Sequence, residues 1–335
     1  MGSGDLRAAV VGVGHLGQHH ARVYHEMPGV ELVGVCDASE ERAREVADRF
    51  SVPAFTDWKE LPDDLQAVNV ATPTVAHFEV AKYFLERSVP VLVEKPIAKT
   101  LEEARALCDL ADERGVILQV GHIERFNPVI QAIRDFDIQP RFIESHRLAP
   151  YTFRSRDIGV VLDLMIHDLD IILELVQSPL VKVDAVGGAI FSRAEDMVNA
   201  RLVFENGCVA NVTANRVALK TLRRIRVFSV DSFITLDYEK HNGFICKKSE
   251  SFDTELERIG AIDPKRLADP KSLVFSGLLE VKELEMDRYE PLAKELQSFI
   301  TAIRNETPAE VSGRDGLRAM ETALRIVEEI GFHSW

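Results

Sequence analysis

The stretch from Ala8 to Asp37, AAVVGVGHLGQHHARVYHEMPGVELVGVCD, constrains the fold more than any other part of the chain. An apolar run, Ala8 to Val11, leads directly into Gly12, Gly14 and Gly17, spaced G-x-G-x-x-G, and a helix is expected from about Leu16 to Glu26. A second apolar run, Val30 to Cys36, ends in Asp37, 20 residues beyond the third glycine. In such a unit the first glycine permits a tight strand-to-helix turn. The second lets a pyrophosphate approach the backbone, and the third lets helix and strand pack closely. His15 and Leu16 complete the turn, and the N–H groups at the helix N-terminus suit phosphate. Asp37 stands where a carboxylate bonds the ribose diol of a dinucleotide and repels a 2′-phosphate, which favours NAD over NADP. Ser39 and Arg42 follow closely enough to offset part of that preference.

Strand and helix patterns then alternate: a helix from Ser39 to Phe50, strands at Val52–Phe55 and Ala67–Ala71, a helix from Ala76 to Arg87, a strand at Pro90–Val93, a helix from Leu101 to Arg114 and a strand at Val116–Val120. Short connections between alternating elements mean a doubly wound parallel sheet, an α/β Rossmann domain expected over 1–122. Ligands of such sheets sit beyond the carboxyl ends of the strands. Thr72, Glu94, Lys95 and Gly121-His122 all fall there and should share one crevice.

From 123 to 335 the pattern changes to α+β. A helix near Pro128–Phe136 and a strand at Phe142–Leu148 precede a strongly apolar helix from Ile158 to Val176. Strand-like runs follow at Val181–Ile190, Val198–Phe204, Cys208–Val217, Arg223–Val230 and Phe233–Tyr238, with Asn206-Gly207 as a hairpin turn. Consecutive strands of this kind predict an open antiparallel sheet. Lys247 to Lys271 reads as a long polar loop, and amphipathic helices at Pro291–Arg304 and Gly313–Glu329 close the chain, placed to pack back on the first domain.

Bulk properties remove whole classes of function. A net charge of −14 argues against nucleic acid as a partner, because phosphate backbones need clustered Lys and Arg. No apolar run reaches the roughly 18 residues that span a bilayer, so no membrane segment is expected. Cys36, Cys108, Cys208 and Cys246 are scattered without a C-x-x-C pair, which speaks against disulfides or a structural metal and for a reducing cytoplasm.

Within the apolar helix, Asp163, His167, Asp170 and Glu174 fall at i, i+4, i+7 and i+11, one stripe on one face. Asp163 can orient and charge-support the His167 ring, giving a base near neutral pH. A structural, hydrogen-bonded stripe is the alternative, and zinc ligation fits poorly without Cys or an H-E-x-x-H pattern. Lys95, at a strand end, can donate to a substrate oxygen and stabilise developing alkoxide charge. Arg141, Arg147, Arg154 and Arg156 concentrate positive charge in an acidic chain, which suits an anionic substrate or an oligomer-facing patch.

The Gly12/Gly14/Gly17 loop, Thr72-Pro73 with His77, Glu94-Lys95-Pro96 and Asp163-x-x-x-His167-x-x-Asp170 together resemble the Gfo/Idh/MocA family of NAD(P)-dependent sugar and cyclitol oxidoreductases, over nearly the whole chain. The resemblance implies an open-faced sheet used for homodimer or homotetramer contacts. It further implies a catalytic set of Lys95, Asp163 and His167, with Glu94 and Lys95 flanking the nicotinamide ribose and His77 and His122 beside the cofactor. Gly121-His-Ile-Glu-Arg-Phe-Asn-Pro128 and Val161 to Asp170 look most like members that oxidise UDP-N-acetylglucosamine-type nucleotide sugars at the 3-hydroxyl. Arg125 and Asn127 would then shape the sugar site, and Arg147 to Arg156 would meet a diphosphate. Gly159 is followed by Val160, where many relatives carry a Gly-Gly pair. Some relatives instead hydrolyse glycosides through transient oxidation, and others are non-catalytic NAD-binding regulators.

Overall fold

The computed structural model describes residues 4–152, 158–260 and 278–332. Its contacts divide the chain into two units, one formed by the residues up to Phe126 with Tyr289–Thr322, the other by Asn127–Arg288 with the chain from Ala323.

The first unit holds β1 (Leu6–Val11), α1 (Gly17–Glu26), β2 (Val30–Cys36), α2 (Glu40–Phe50), β3 (Ala54–Phe55), β4 (Ala67–Val70), α3 (Thr74–Glu86), β5 (Val91–Glu94), α4 (Leu101–Arg114) and β6 (Leu118–Gly121). The six strands are parallel, in the order β3-β2-β1-β4-β5-β6. The strand order therefore reverses between β1 and β4, which is where such sheets open a crevice. Helices on both faces explain why the strands read as continuous apolar runs and do not alternate. The helix Pro291–Asn305 supplies Leu292, Leu296, Phe299 and Ile300 to the same core as Ala8, Val10, Tyr24 and Leu32. The free edge of β6 is closed by the segment after that helix, Val120 N donating to Val311 O (3.0 Å).

The second unit is built on an eight-stranded sheet: β7 (Phe142–Leu148), β8 (Leu180–Gly188), β9 (Met197–Phe204), β10 (Val209–Asn215), β11 (Leu222–Phe228), β12 (Ser232–Asp237), β13 (Asn242–Lys248) and β14 (Leu279–Glu283). Their order is β14-β13-β12-β11-β7-β10-β9-β8, antiparallel except that β7 and β10 run parallel. That one pair makes the expected antiparallel sheet a mixed one. Side chains alternate cleanly along the central strands. Ile143, Ser145 and Arg147 of β7 are buried, whereas Phe142, Glu144 and His146 lie on the more open face. At the β9–β10 hairpin Gly207 takes φ +81°, a conformation open to glycine, as the Asn206-Gly207 pair predicts.

Two expectations are corrected here, and one strand is added. The helix after Asn127 is a single turn, Pro128–Gln131. The polar segment from Lys247 is no uniform loop, because it finishes β13 and then forms a helix, Phe252–Gly260; its remainder, 261–271, lies outside the described residues. Strand β14 escaped notice because an edge strand with four exposed residues shows no alternation.

Candidate functional site

In the first unit the chemistry collects at the carboxyl ends of the strands. Gly12 has φ +87°, and a Cβ there would lie 2.6 Å from the Thr72 amide nitrogen, so the glycine turn presses against the end of β4. A Cβ on Gly17 would fall on the Gly12 carbonyl oxygen, whereas one on Gly14 would meet nothing within 4 Å. The three glycines thus do three jobs: conformational, open approach, and close packing. Gly17→Ala should cost several degrees of unfolding temperature and abolish NADH binding, because backbone must shift to admit the methyl group. Gly14→Ala should change stability by less than about 0.5 kcal/mol yet weaken NADH binding, since only a ligand occupies that space. Thermal unfolding and a titration of NADH fluorescence separate the two effects.

The helix ends around this turn differ in a telling way. Helix α2 is capped by Ser39, and α4 by a Thr100–Glu103 capping box. Helices α1 and α3 have no side-chain cap and no acid in the first turn. No side-chain cap or carboxylate competes at these two N-termini, which suits an external anion. Thr72 adds a buried hydroxyl oxygen without a hydrogen-bond partner. A dinucleotide fits this donor set. Asp37 is 8% exposed and accepts from the Val13 amide (3.0 Å), which ties the end of β2 to the glycine turn.

Under these strand ends runs a buried chain of hydrogen bonds. The Tyr24 hydroxyl donates to Asn69 Oδ1 (2.6 Å), and Asn69 Nδ2 donates to His20 Nδ1 (2.9 Å). His20 Nε2, which then carries the proton, donates to Glu94 Oε1 (3.1 Å), and the Lys95 amide donates to Glu94 Oε2 (3.2 Å). Burial pushes the Tyr24 pKa well up, keeping the phenol a donor. Burial also raises the Glu94 carboxyl, but the His20 bond and the Lys95 charge and amide bring it below its ordinary value. Glu94 is thus held ionised beside Lys95, its side chain lying against Gly121. Sequence reasoning missed Tyr24, His20 and Asn69. The signal was Asn69, an amide in the middle of the apolar strand AVNVA.

His77 turns its two ring nitrogens to backbone carbonyls, Thr72 O (2.8 Å) and Pro96 O (2.9 Å). Burial lowers its pKa although both carbonyls favour the charged ring, and the nitrogen that carries the proton donates to the strand end it faces. His122 is buried at the end of β6, its amide bonded to Val120 O (2.8 Å). Arg125 is buried as well, and its charge is felt at Asp315. Burial raises the Asp315 carboxyl, but Ser312, Arg318 and, last, Arg125 bring it below the usual range. His15, Leu16 and Pro73 are exposed around the turn, and Lys95 is half-buried.

In the second unit, the expected helix from Ile158 begins as a wide π-turn, Val161–Met165, and continues as an α-helix, Ile166–Val176. Such turns gather at functional sites. Asp163 lies in the wide turn and His167 in the first α-helical turn, both half-buried, while Asp170 is buried and Glu174 exposed. Asn127 caps its own turn, Oδ1 accepting from the Val129 amide (3.1 Å). Arg147, expected among the diphosphate ligands, is instead buried in a two-pronged ion pair with Asp168 (Nε–Oδ2 2.7 Å, Nη2–Oδ1 3.2 Å). Arg154 and Arg156 lie outside the described residues. The start of the wide turn is pinned by residues not foreseen. Arg216 donates to Asp196 Oδ1 and to Ile158 O (both 2.7 Å), and the Glu195 carboxylate accepts from the Val161 amide (3.3 Å). Gly159 leaves room for that carboxylate, since a Cβ there would collide with it.

Thiol chemistry is excluded by burial, which pushes Cys36 up to about 12 and Cys108 and Cys208 to about 11. Among the described residues no cluster of His, Cys, Asp and Glu is placed to hold a metal ion, and no helix is long and apolar enough to cross a membrane.

Comparison with known proteins fits this geometry. Residues 6–122 match the GFO_IDH_MocA profile, an oxidoreductase family with an NAD-binding Rossmann fold, and residues 130–230 match the GFO/IDH/MocA C-terminal domain. The UDP-N-acetylglucosamine 3-dehydrogenase of Acidithiobacillus ferrooxidans is 36% identical over 96% of each chain, and its crystal structure superposes with a TM-score of 0.86 over 97% of each. The NAD-dependent scyllo-inositol 2-dehydrogenase of Bacillus subtilis is 30% identical over 64% of this chain and 68% of its own.

Proposed function

This chain belongs to the Gfo/Idh/MocA oxidoreductase family, and from that premise we propose that it uses NAD to oxidise the 3-hydroxyl of a nucleotide sugar, UDP-N-acetylglucosamine. The observation that carries this reading is similarity to a UDP-N-acetylglucosamine 3-dehydrogenase across 96% of both chains. A match limited to the nucleotide-binding half would speak only for the cofactor.

A bound nicotinamide would supply the acceptor for the hydride of the alcohol carbon. The glycine turn, Asp37 and Thr72 hold and orient the dinucleotide. His167 takes the hydroxyl proton, and Asp163 orients its ring and offsets the charge it gains. Lys95 donates to the same oxygen as it becomes a carbonyl, and ionised Glu94 steadies the Lys95 backbone. Arg125 and Asn127 border the sugar, and Arg154 and Arg156 meet the diphosphate.

The protein works in the cytoplasm, supported by four free, buried thiols. It assembles as a homodimer or homotetramer through the open face of the eight-stranded sheet. Support comes from the ring contacts Phe142–Phe228, Phe228–Phe233 and Phe233–Phe244 along that face, beside a groove of about 630 Å³.

The test is absorbance of reduced nicotinamide on mixing protein, NAD and UDP-N-acetylglucosamine. Steady net formation of NADH is expected, and little with inositol. Glycoside cleavage without added NAD would replace this reading with a hydrolase, and binding of NAD without turnover of any sugar would replace it with a sensor.

A further inference from the structure

Asp37 is the residue suited to the adenosine ribose, yet its carboxylate is fully engaged within its own unit. Oδ1 accepts from the Ser39 amide (2.9 Å) and Arg42 Nη2 (3.0 Å), while Oδ2 accepts from the Val13 amide (3.0 Å) and Arg42 Nε (3.1 Å). An ionised carboxylate offers about four lone-pair sites, so the Arg42 fork holds the two that backbone amides leave. The two kinds of partner differ in mobility. The Val13 and Ser39 amides belong to the glycine turn and the start of α2, whereas the Arg42 side chain is 51% exposed against 8% for Asp37.

We propose that Arg42 is a cofactor-selecting residue, its guanidinium competing with the ribose diol for Asp37 and, once displaced, pairing with a 2′-phosphate. The proposal rests on dinucleotide binding at the glycine turn. With NADH the diol replaces a two-pronged, charge-assisted contact, and the displaced guanidinium returns to water. With NADPH the displaced guanidinium meets a phosphate and screens it from Asp37. The fork therefore narrows the preference for NAD that an unencumbered carboxylate would impose. Neither effect concerns the reacting carbon, so both appear in cofactor binding alone.

The experiment is titration of the apoprotein with NADH and NADPH, read by nicotinamide fluorescence, in the parent, Arg42→Ala and Arg42→Lys. Arg42→Ala should bind NADH about 3- to 10-fold more tightly and NADPH at least about 10-fold more weakly, as expected for losing a charge-assisted contact. Arg42→Lys keeps the charge without the fork, so it should gain NADH affinity in the same way while retaining most NADPH affinity. Weakening of both cofactors alike would place the guanidinium on the adenine and overturn the proposal, as would unchanged affinities. Failure of the parent to bind NADH would instead overturn the reading of the glycine turn.

Discussion

His167→Ala should lower turnover of NAD and UDP-N-acetylglucosamine by about 10²- to 10⁴-fold, the span that a positioned general base contributes, and leave the NADH dissociation constant unchanged. The separation follows from where each group sits. The proposed dinucleotide contacts come from the glycine turn, Asp37 and Thr72 of the first unit, while His167 lies on a helix of the second. The ring is half-buried, and its neighbour Asp168 ties the helix to β7 through Arg147. Unfolding temperature should therefore move little. Lys95→Ala should produce a loss of about 10²- to 10³-fold, as for one donor to a developing oxyanion. Turnover within a few-fold of the parent in either variant would remove that residue from the mechanism.

Asp168→Ala should destabilise the protein by about 3–5 kcal/mol, because it removes the carboxylate that two prongs of the buried Arg147 guanidinium meet. Both side chains are 3% exposed, so water cannot replace the lost partner. The unfolding midpoint should fall on the order of 10 °C. Converting the pair together, Arg147→Met with Asp168→Leu, should restore most of the loss, since a buried pair gives back in Coulomb energy little more than its desolvation costs. The opposite pattern, a mild single variant and a severe double one, would mean the pair is better solvated than its burial indicates. Arg147 was grouped by charge with Arg154 and Arg156. The stability readout distinguishes a structural arginine from a substrate ligand, which would alter KM alone.

The features legible in the sequence share one property: their physical cause is local. Gly12 and Gly17 are required by contacts within a few residues or with the adjacent strand end, so their spacing alone announces the turn. Ser39 and Asn206-Gly207 act over two to four residues and are legible in the sequence, and the Thr100–Glu103 box, not foreseen, is equally local. Strands β1, β2 and β4 declared themselves because burial on both faces demands continuous apolar runs.

Other features depend on partners far away in the chain, and no local pattern encodes them. Asn69 in AVNVA looks like a lapse until Tyr24 and His20 arrive on α1 to use both ends of its amide. Four arginines in sixteen positions looked like one charged patch, yet tertiary structure sent Arg147 inward to Asp168. The parallel pairing of β7 with β10 joins strands some 60 residues apart, where chain order predicts antiparallel neighbours. Arg42 could be suspected from its nearness to Asp37, but only the folded turn shows that it takes the lone pairs a ribose would need. The amino-acid order by itself determined which residues can turn, cap and line a strand, because sterics and capping act between near neighbours. Which charges are buried, paired or held ready was decided by the tertiary structure, because desolvation and hydrogen-bond competition depend on what the rest of the chain brings alongside.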